Sequence, residues 1–189
     1  APARRIWTLQ FDAPSGIAIS AGTDRVIRAW QWSEAGGLVQ TAVVENAHRD
    51  CISVLQFDSS SGLVLSGGLD KAIRVWHVSG TAFQALSTTA AAHSDCVMAL
   101  HFDGATGLLL SSGEDKVLRA WHWVGSELLR VAAASTRSVL ALQCDAAAGI
   151  VLSSGIEGVV QVWRLHGNTL LLLSTVQVTT KVCLWALQF

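Results

Sequence analysis

Two sets of polar residues recur along the chain at one spacing: His48, Ser66 and Asp70, then His93, Ser111 and Asp115. A histidine, a carboxylate and a hydroxyl are the parts of a nucleophilic triad, in which the imidazole takes the serine proton and the acid orients the ring. Two features speak against that chemistry. The set occurs twice at identical intervals, and each serine lies inside an apolar run, Leu63-Val64-Leu65-Ser66 or Leu108-Leu109-Leu110-Ser111, not on an exposed elbow. Acyl transfer also needs an open site with an oxyanion hole, which a duplicated serine buried in strands does not supply. No phosphate-binding glycine loop, dinucleotide fingerprint, H-E-x-x-H or G-x-S-x-G occurs. Cys51, Cys96, Cys144 and Cys183 form no C-x-x-C pair, and His77, His101, His122 and His166 are scattered without metal-ligand spacing. The expectation is a protein that is not an enzyme and holds neither cofactor nor metal.

The elements that carry these residues are set by an internal repeat. Trp30, Trp76, Trp121 and Trp163 recur at intervals of 46, 45 and 42 residues, and Phe11, Phe57, Phe102, Cys144 and Phe189 keep step. Between Cys51–Trp76 and Cys96–Trp121, 13 of 26 positions are identical, too many for chance. Each unit divides into four short apolar or alternating segments. In the second unit strand a is 51–57, b is 62–67, c is 72–77 and d lies near 82–87. The turn between a and b opens on Asp12, Asp58, Asp103 or Asp145 and closes four residues later on Gly16, Gly62, Gly107 or Gly149. Aspartate there is expected to bond amides two residues on, and glycine to accept positive φ. Gly68-Leu69-Asp70-Lys71 makes the b–c reversal. The pattern predicts an all-β chain of four-stranded antiparallel sheets, none able to bury both faces alone.

Composition excludes several classes. With 51% hydrophobic residues the chain is not disordered, and 13 Lys+Arg against 14 Asp+Glu give no electrostatic case for nucleic acid or an anionic membrane. No apolar run approaches the length of a membrane span; the densest, Leu170 to Leu173, stops at Ser174. The widely spaced cysteines suggest no disulfide framework, so a reducing, intracellular compartment is expected, cytoplasmic or nuclear.

The period, the four strands and the tryptophan ending strand c resemble the WD-repeat family of β-propellers, over essentially the whole chain. Ala47-His48 and Ala92-His93 stand where the family has Gly-His, and Gln31, His77, His122 or Arg164 follows the tryptophan in place of aspartate. The resemblance implies a buried hydrogen-bond network of His48, Ser66, Asp70 and Trp76 in the second unit and His93, Ser111, Asp115 and Trp121 in the third. In that network Asp accepts from the ring, the ring faces Ser, and Ser accepts from the indole. The first unit retains Ser20, Asp24 and Trp30, with Pro2 at the histidine position; the fourth retains Ser153, Glu157 and Trp163, with Ser135 there.

The blades are expected near 5–47, 48–92, 93–134 and 135–180, with 181–189 starting a fifth as an extra inner strand. Because both ends supply strand a, the expectation is part of a larger, seven-bladed propeller. The family also implies a platform for protein or peptide partners, including substrate receptors and adaptors within multiprotein complexes. Its top-face loops here carry Arg5, Arg49, Asp50, Leu69, Asp95, Glu114, Arg137, Ile156 and Lys181. The alternative is a structural subunit of a ribonucleoprotein or cytoskeletal assembly, for which Arg4, Arg5, Arg49, Arg137 and Lys181 offer a thin basic rim. Trp7 and Trp185 share one strand-a position, open to packing between blades or to facing the channel, with packing the expectation, while Trp32 and Trp123 extend strand c toward a contact surface.

Overall fold

The computed structural model of the chain describes residues 5–178. The expected strand at 181–189, with Lys181 and Trp185, lies outside the described residues, as do Pro2 and Arg4. The described residues form sixteen strands and no helix. Sheet 1 contains β1 (Ile6–Asp12), β2 (Ile17–Gly22), β3 (Ile27–Ser33) and β4 (Gly37–Val44). Sheet 2 contains β5 (Ile52–Asp58), β6 (Leu63–Gly68), β7 (Ile73–Ser79) and β8 (Ala82–Thr89). Sheet 3 contains β9 (Val97–Asp103), β10 (Leu108–Gly113), β11 (Val117–Trp123) and β12 (Leu128–Ser135). Sheet 4 contains β13 (Val139–Asp145), β14 (Ile150–Gly155), β15 (Val159–His166) and β16 (Thr169–Gln177). Every sheet is a simple antiparallel meander in chain order, and the sequence-based strands of the second unit start one residue early at most.

The turns explain the register. Asp12, Asp58 and Asp103 hold the amides of Ser15, Ser61 and Thr106 through their carboxylates at 2.9–3.1 Å, three residues on and not two. The closing glycines sit at φ +65 to +71°, where a side chain is strained. At the b–c reversal the left-handed residue is not Gly68 but Lys71, φ 69°, matched by Arg25, Lys116 and Gly158.

Neighbouring sheets pack face to face in chain order, with the first strands β1, β5, β9 and β13 side by side at the inside of the arc. Three apolar cores fill the three junctions. Ile19, Ile27 and Ala29 of sheet 1 meet Ile52, Leu55 and Trp76 of sheet 2. Leu65, Ile73 and Val75 then meet Val97, Leu100 and Trp121, and Leu110, Leu118 and Ala120 meet Val139, Leu142 and Trp163. Each sheet therefore presents a leading face, which carries the repeat tryptophan, to its predecessor and a trailing face to its successor.

Sheet 1 has no predecessor among the described residues, and its leading face is open. Leu9 is 62% exposed, whereas its counterparts Leu55, Leu100 and Leu142 are 0%, 3% and 5% exposed. Trp32 is exposed for the same reason, while Trp123 packs into the junction between sheets 2 and 3. Burial, not residue type, sets the cost of truncation at these positions. Leu55→Ala is expected to cost about 2–5 kcal/mol. Leu9→Ala is expected to stay within about 0.5 kcal/mol. Urea unfolding of the two variants checks the contrast, and equal losses would contradict the packing described.

Candidate functional site

In sheets 2 and 3 the polar residues form one buried chain. Asp70 Oδ1 lies 2.8 Å from His48 Nδ1, Ser66 Oγ lies 2.7 Å from His48 Nε2, and Trp76 Nε1 donates to Ser66 Oγ at 3.0 Å. In sheet 3, His93, Asp115, Ser111 and Trp121 repeat this at 2.9, 2.8 and 2.8 Å. One proton arrangement satisfies every member: Nδ1–H donates to the carboxylate, the serine hydroxyl donates to Nε2, and the indole donates to the serine oxygen. Ser66 and Ser111 are 0% exposed, so no substrate reaches either oxygen in the folded sheet. The parts of a triad are present, but here they tie strands b and c to the loop that follows the preceding sheet.

The sequence reading missed one member. Arg74 Nη1 donates to Asp70 Oδ2 at 2.8 Å and rests against the His48 ring, and Arg119 does the same at Asp115. Arg28 pairs with Asp24 at 2.7 Å. The signal was present as an arginine four residues after the repeat aspartate in three units.

These charges set the protonation states. Burial pushes the Asp70 carboxyl up, but hydrogen bonds from His48, Arg74 and the Arg49 amide outweigh it and hold the pKa at about 2. Asp115 is held at about 2 in the same way, against burial, by His93, the Ser94 amide and Arg119. Burial lowers both His48 and His93, and the neighbouring arginine lowers each further, so both rings are neutral at pH 7. Burial, with Asp103 and Asp145 nearby, pushes the Cys144 thiol up to about 11.

Sheets 1 and 4 keep fragments of the network. Trp30 donates to Ser20 at 2.8 Å and Trp163 to Ser153 at 2.9 Å. Ser135 and Glu157 do not join Ser153. Ser135 is the last residue of β12, paired with Val117, because the connection to β13 spans only 136–138. Glu157 instead reaches the surface and pairs with Arg137. Where the imidazole sits in sheets 2 and 3, Ser153, Gly155, Glu157 and Gln161 line a cavity of about 10 Å³, the size of one water. Thr136 Oγ1 bonds Gln161, the counterpart of Arg74, at 2.9 Å.

The network shapes the loops above it. Asp70 Oδ2 accepts the Arg49 amide at 2.9 Å, and Asp115 Oδ2 accepts the Ser94 amide at 3.0 Å. Asp50 and Asp95 cap the following residues, Cys51 and Cys96, whose thiols lean toward the Thr23 and Leu69 carbonyls of the preceding sheet at 3.8 and 3.9 Å. Arg5, Arg49, Asp50, Glu114, Arg137 and Ile156 are exposed there, and Leu69 and Asp95 are partly covered. Inside the arc, Trp7, Ser53, Met98 and Leu140, one residue from each inner strand, line a concave cleft of about 700 Å³ with Val54, Leu69, Cys96 and Glu114. Trp7 thus faces the cleft instead of packing between sheets, because alternate residues of an inner strand point to the inside of the arc. Asp95, Cys96 and Glu114 bring one donor atom each within 4.8 Å of one another, the one such trio among the described residues. Three donors fall short of the four ligands of a closed zinc site.

Two outcomes follow from the network. A Cβ at Gly68 would stand 2.8 Å from His48 Nδ1 and 3.0 Å from Asp70 Oδ1, so Gly68→Ala is expected to displace the ring and cost about 1–3 kcal/mol in urea unfolding. Stability should also fall with acid in two stages. The histidines bind protons more weakly folded than unfolded, so stability is full above their unfolded value of 6.5 and declines as pH drops below it. The aspartates, at about 2 against 3.8 unfolded, withdraw a second contribution as pH falls from 3.8 toward 2. Melting temperature measured from pH 8 to pH 2 checks both stages, and a rise on acidifying below 6.5 would contradict the assignment.

Comparison with known proteins agrees with this geometry. Residues 39–77 and 84–122 match the family model "WD domain, G-beta repeat", each running from strand d of one sheet through strand c of the next. No curated protein sequence matches the chain. Among solved structures, the computationally designed Ika8 protein is similar at 23% identity and TM-score 0.76 over 98% of this chain. A chain of the Mitotic Checkpoint Complex is similar at 16% identity and TM-score 0.80 over 96%. The match spans 52% and 56% of those two chains, about half their length. The chain resembles the WD-repeat β-propellers, in sequence over the two stretches that are WD repeats and in blade fold over all four sheets.

Proposed function

We propose that the chain is a non-catalytic platform that docks protein or peptide partners on its top face and cleft, as a subunit of a multiprotein complex. The observation that carries this reading is the concave cleft of about 700 Å³. It is the size of a peptide or ligand site, and its floor is apolar, with Trp7 half exposed and Met98, Leu140 and Leu69 around it. The loops that lead into the inner strands are held where buried aspartates accept the amides of Arg49 and Ser94. Loops held in place keep the ordering cost of binding low. The WD repeats support an interaction role in general; substrate receptor or adaptor work is the narrower form of the proposal.

The RNA-contacting alternative draws less support. Arg137 is engaged by Glu157, and Asp50, Asp95 and Glu114 share the rim with Arg5 and Arg49. Peptides selected from a displayed library on the immobilised protein test the proposal. Their affinity is expected to drop at least about tenfold in Leu69→Glu and Trp7→Ser, the loss of a central anchor, and to change little with salt. Peptides insensitive to both substitutions would sink the cleft as the docking site. Steeply salt-dependent binding of poly(U), lost in Arg49→Glu, would favour the RNA reading.

A further inference from the structure

Glu114 is the one charged group among the described residues that line the cleft. It holds the b–c turn position that Thr23, Leu69 and Ile156 fill in the other sheets. Its amide donates to the Cys96 carbonyl at 2.9 Å, as the Leu69 amide does to the Cys51 carbonyl. Cys96 Sγ leans toward the Leu69 carbonyl across the junction of sheets 2 and 3 at 3.9 Å. An exposed carboxylate and a branched apolar side chain are thereby fixed on either side of Cys96, in the middle of the arc.

Asp95 completes this corner. Its Oδ1 accepts the Cys96 amide at 2.8 Å, and one oxygen of Asp95 lies within 4.8 Å of one oxygen of Glu114. Burial, followed by Glu114 and Asp95, pushes the Cys96 thiol up, so the sulfur stays neutral and the corner carries two charges. Among the described residues no cation pairs with either carboxylate. Lys71 Nζ is turned to the Ser94 carbonyl at 2.8 Å, Arg119 to Asp115 and Arg137 to Glu157. Two like charges this close repel, and the repulsion grows as a ligand excludes water from the cleft. A cation that enters with the ligand removes it. Arginine suits the pair, because its planar fork carries five donors and reaches two carboxylates, whereas lysine is a compact point charge.

We propose that the cleft takes a peptide segment in which an arginine neighbours an apolar side chain. The guanidinium bridges Glu114 and Asp95, and the apolar group rests on Leu69 and Met98. This assignment rests on the cleft being the docking site and adds which peptides dock there. Charge complementarity, not cleft size, selects the occupant. An acidic peptide would bring a third negative charge to the corner. A wholly apolar one would cover two carboxylates without pairing them.

Peptides selected on the immobilised protein are expected to carry an arginine one or two residues from their apolar anchor. Glu114→Gln, exposed and outside every core, is expected to weaken such a peptide about tenfold with the melting temperature unchanged. Replacing the peptide's arginine by glutamine is expected to cost the same in the wild-type protein. It should cost nothing further in Glu114→Gln, which is the coupling of a direct contact. Asp95→Asn keeps the cap on the Cys96 amide and is expected to show the same coupling at smaller size. Peptides that lose affinity in Trp7→Ser but not in Glu114→Gln would overturn the arginine contact and leave the cleft as the docking site. Additive losses would also overturn it, as would a peptide lysine binding as tightly as arginine. A library that yields no binder, or binders indifferent to Trp7→Ser and Glu114→Gln alike, would overturn both readings.

Discussion

Each sheet has two apolar faces and can cover neither by itself, and the rest of the molecule is arranged around that constraint. Ile19 and Ile27 on one side of sheet 1 are fully buried only because Ile52 and Leu55 stand against them. The same residue type at the same place in the repeat is core or surface according to whether a neighbour is present, as Leu9 and Leu55 demonstrate. Stability in such a stack is a sum of weak units and strong interfaces. The meander within a sheet fixes register, and the packing between sheets buries the apolar faces in three cores that contribute hydrophobic stabilisation.

The buried polar chain serves a different purpose from the apolar junctions. His48 and Asp70 bring charge and imidazole into an interior that gains nothing from them as hydrophobic mass, and leaving either unpaired would be costly. Fully satisfied, the network fixes one geometry: strand b to strand c through Ser66 and Trp76, and both to the connecting loop through Asp70 and the Arg49 amide. The same aspartate therefore joins the core to the loop that follows the preceding sheet. Loops that carry Arg49, Asp50, Ser94 and Asp95 are positioned by buried groups, so their exposed side chains can vary while the frame is held.

Much of this was legible in the sequence because the repeat compares each residue with itself in another setting. In the second unit the strand starts emerged within a residue, since aspartate and glycine mark the a–b turn in every unit. The identity of the network residues was equally visible, because their spacing is shared by two units. What escaped was whatever depends on direction in space. Arg74 is four residues from Asp70, a distance that reads as a solvated charge until the strand places both on one side of the His48 ring. Trp7 reads as core by type, but an inner strand turns alternate residues toward the inside of the arc, where an apolar floor is exposed. Glu157 reads as a stand-in for aspartate, yet its extra methylene and the nearby Arg137 carry it to the surface.

Sheet 4 shows how such a frame diverges without collapsing. Its connection from sheet 3 is cut to 136–138, so no residue can occupy the histidine position, and the charged pair moves outward to Arg137 and Glu157. The interior compensates with neutral groups: Gln161 takes the place of arginine, Thr136 bonds it, and Ser153 still receives the Trp163 indole. A cavity the size of one water remains where the ring would be. Removing buried acid and arginine together leaves no unpaired charge, whereas removing either alone would. The acid and arginine are accordingly kept as a pair, as Asp24 and Arg28 are in sheet 1, or lost as a pair, as in sheet 4, while the serine and tryptophan persist in both.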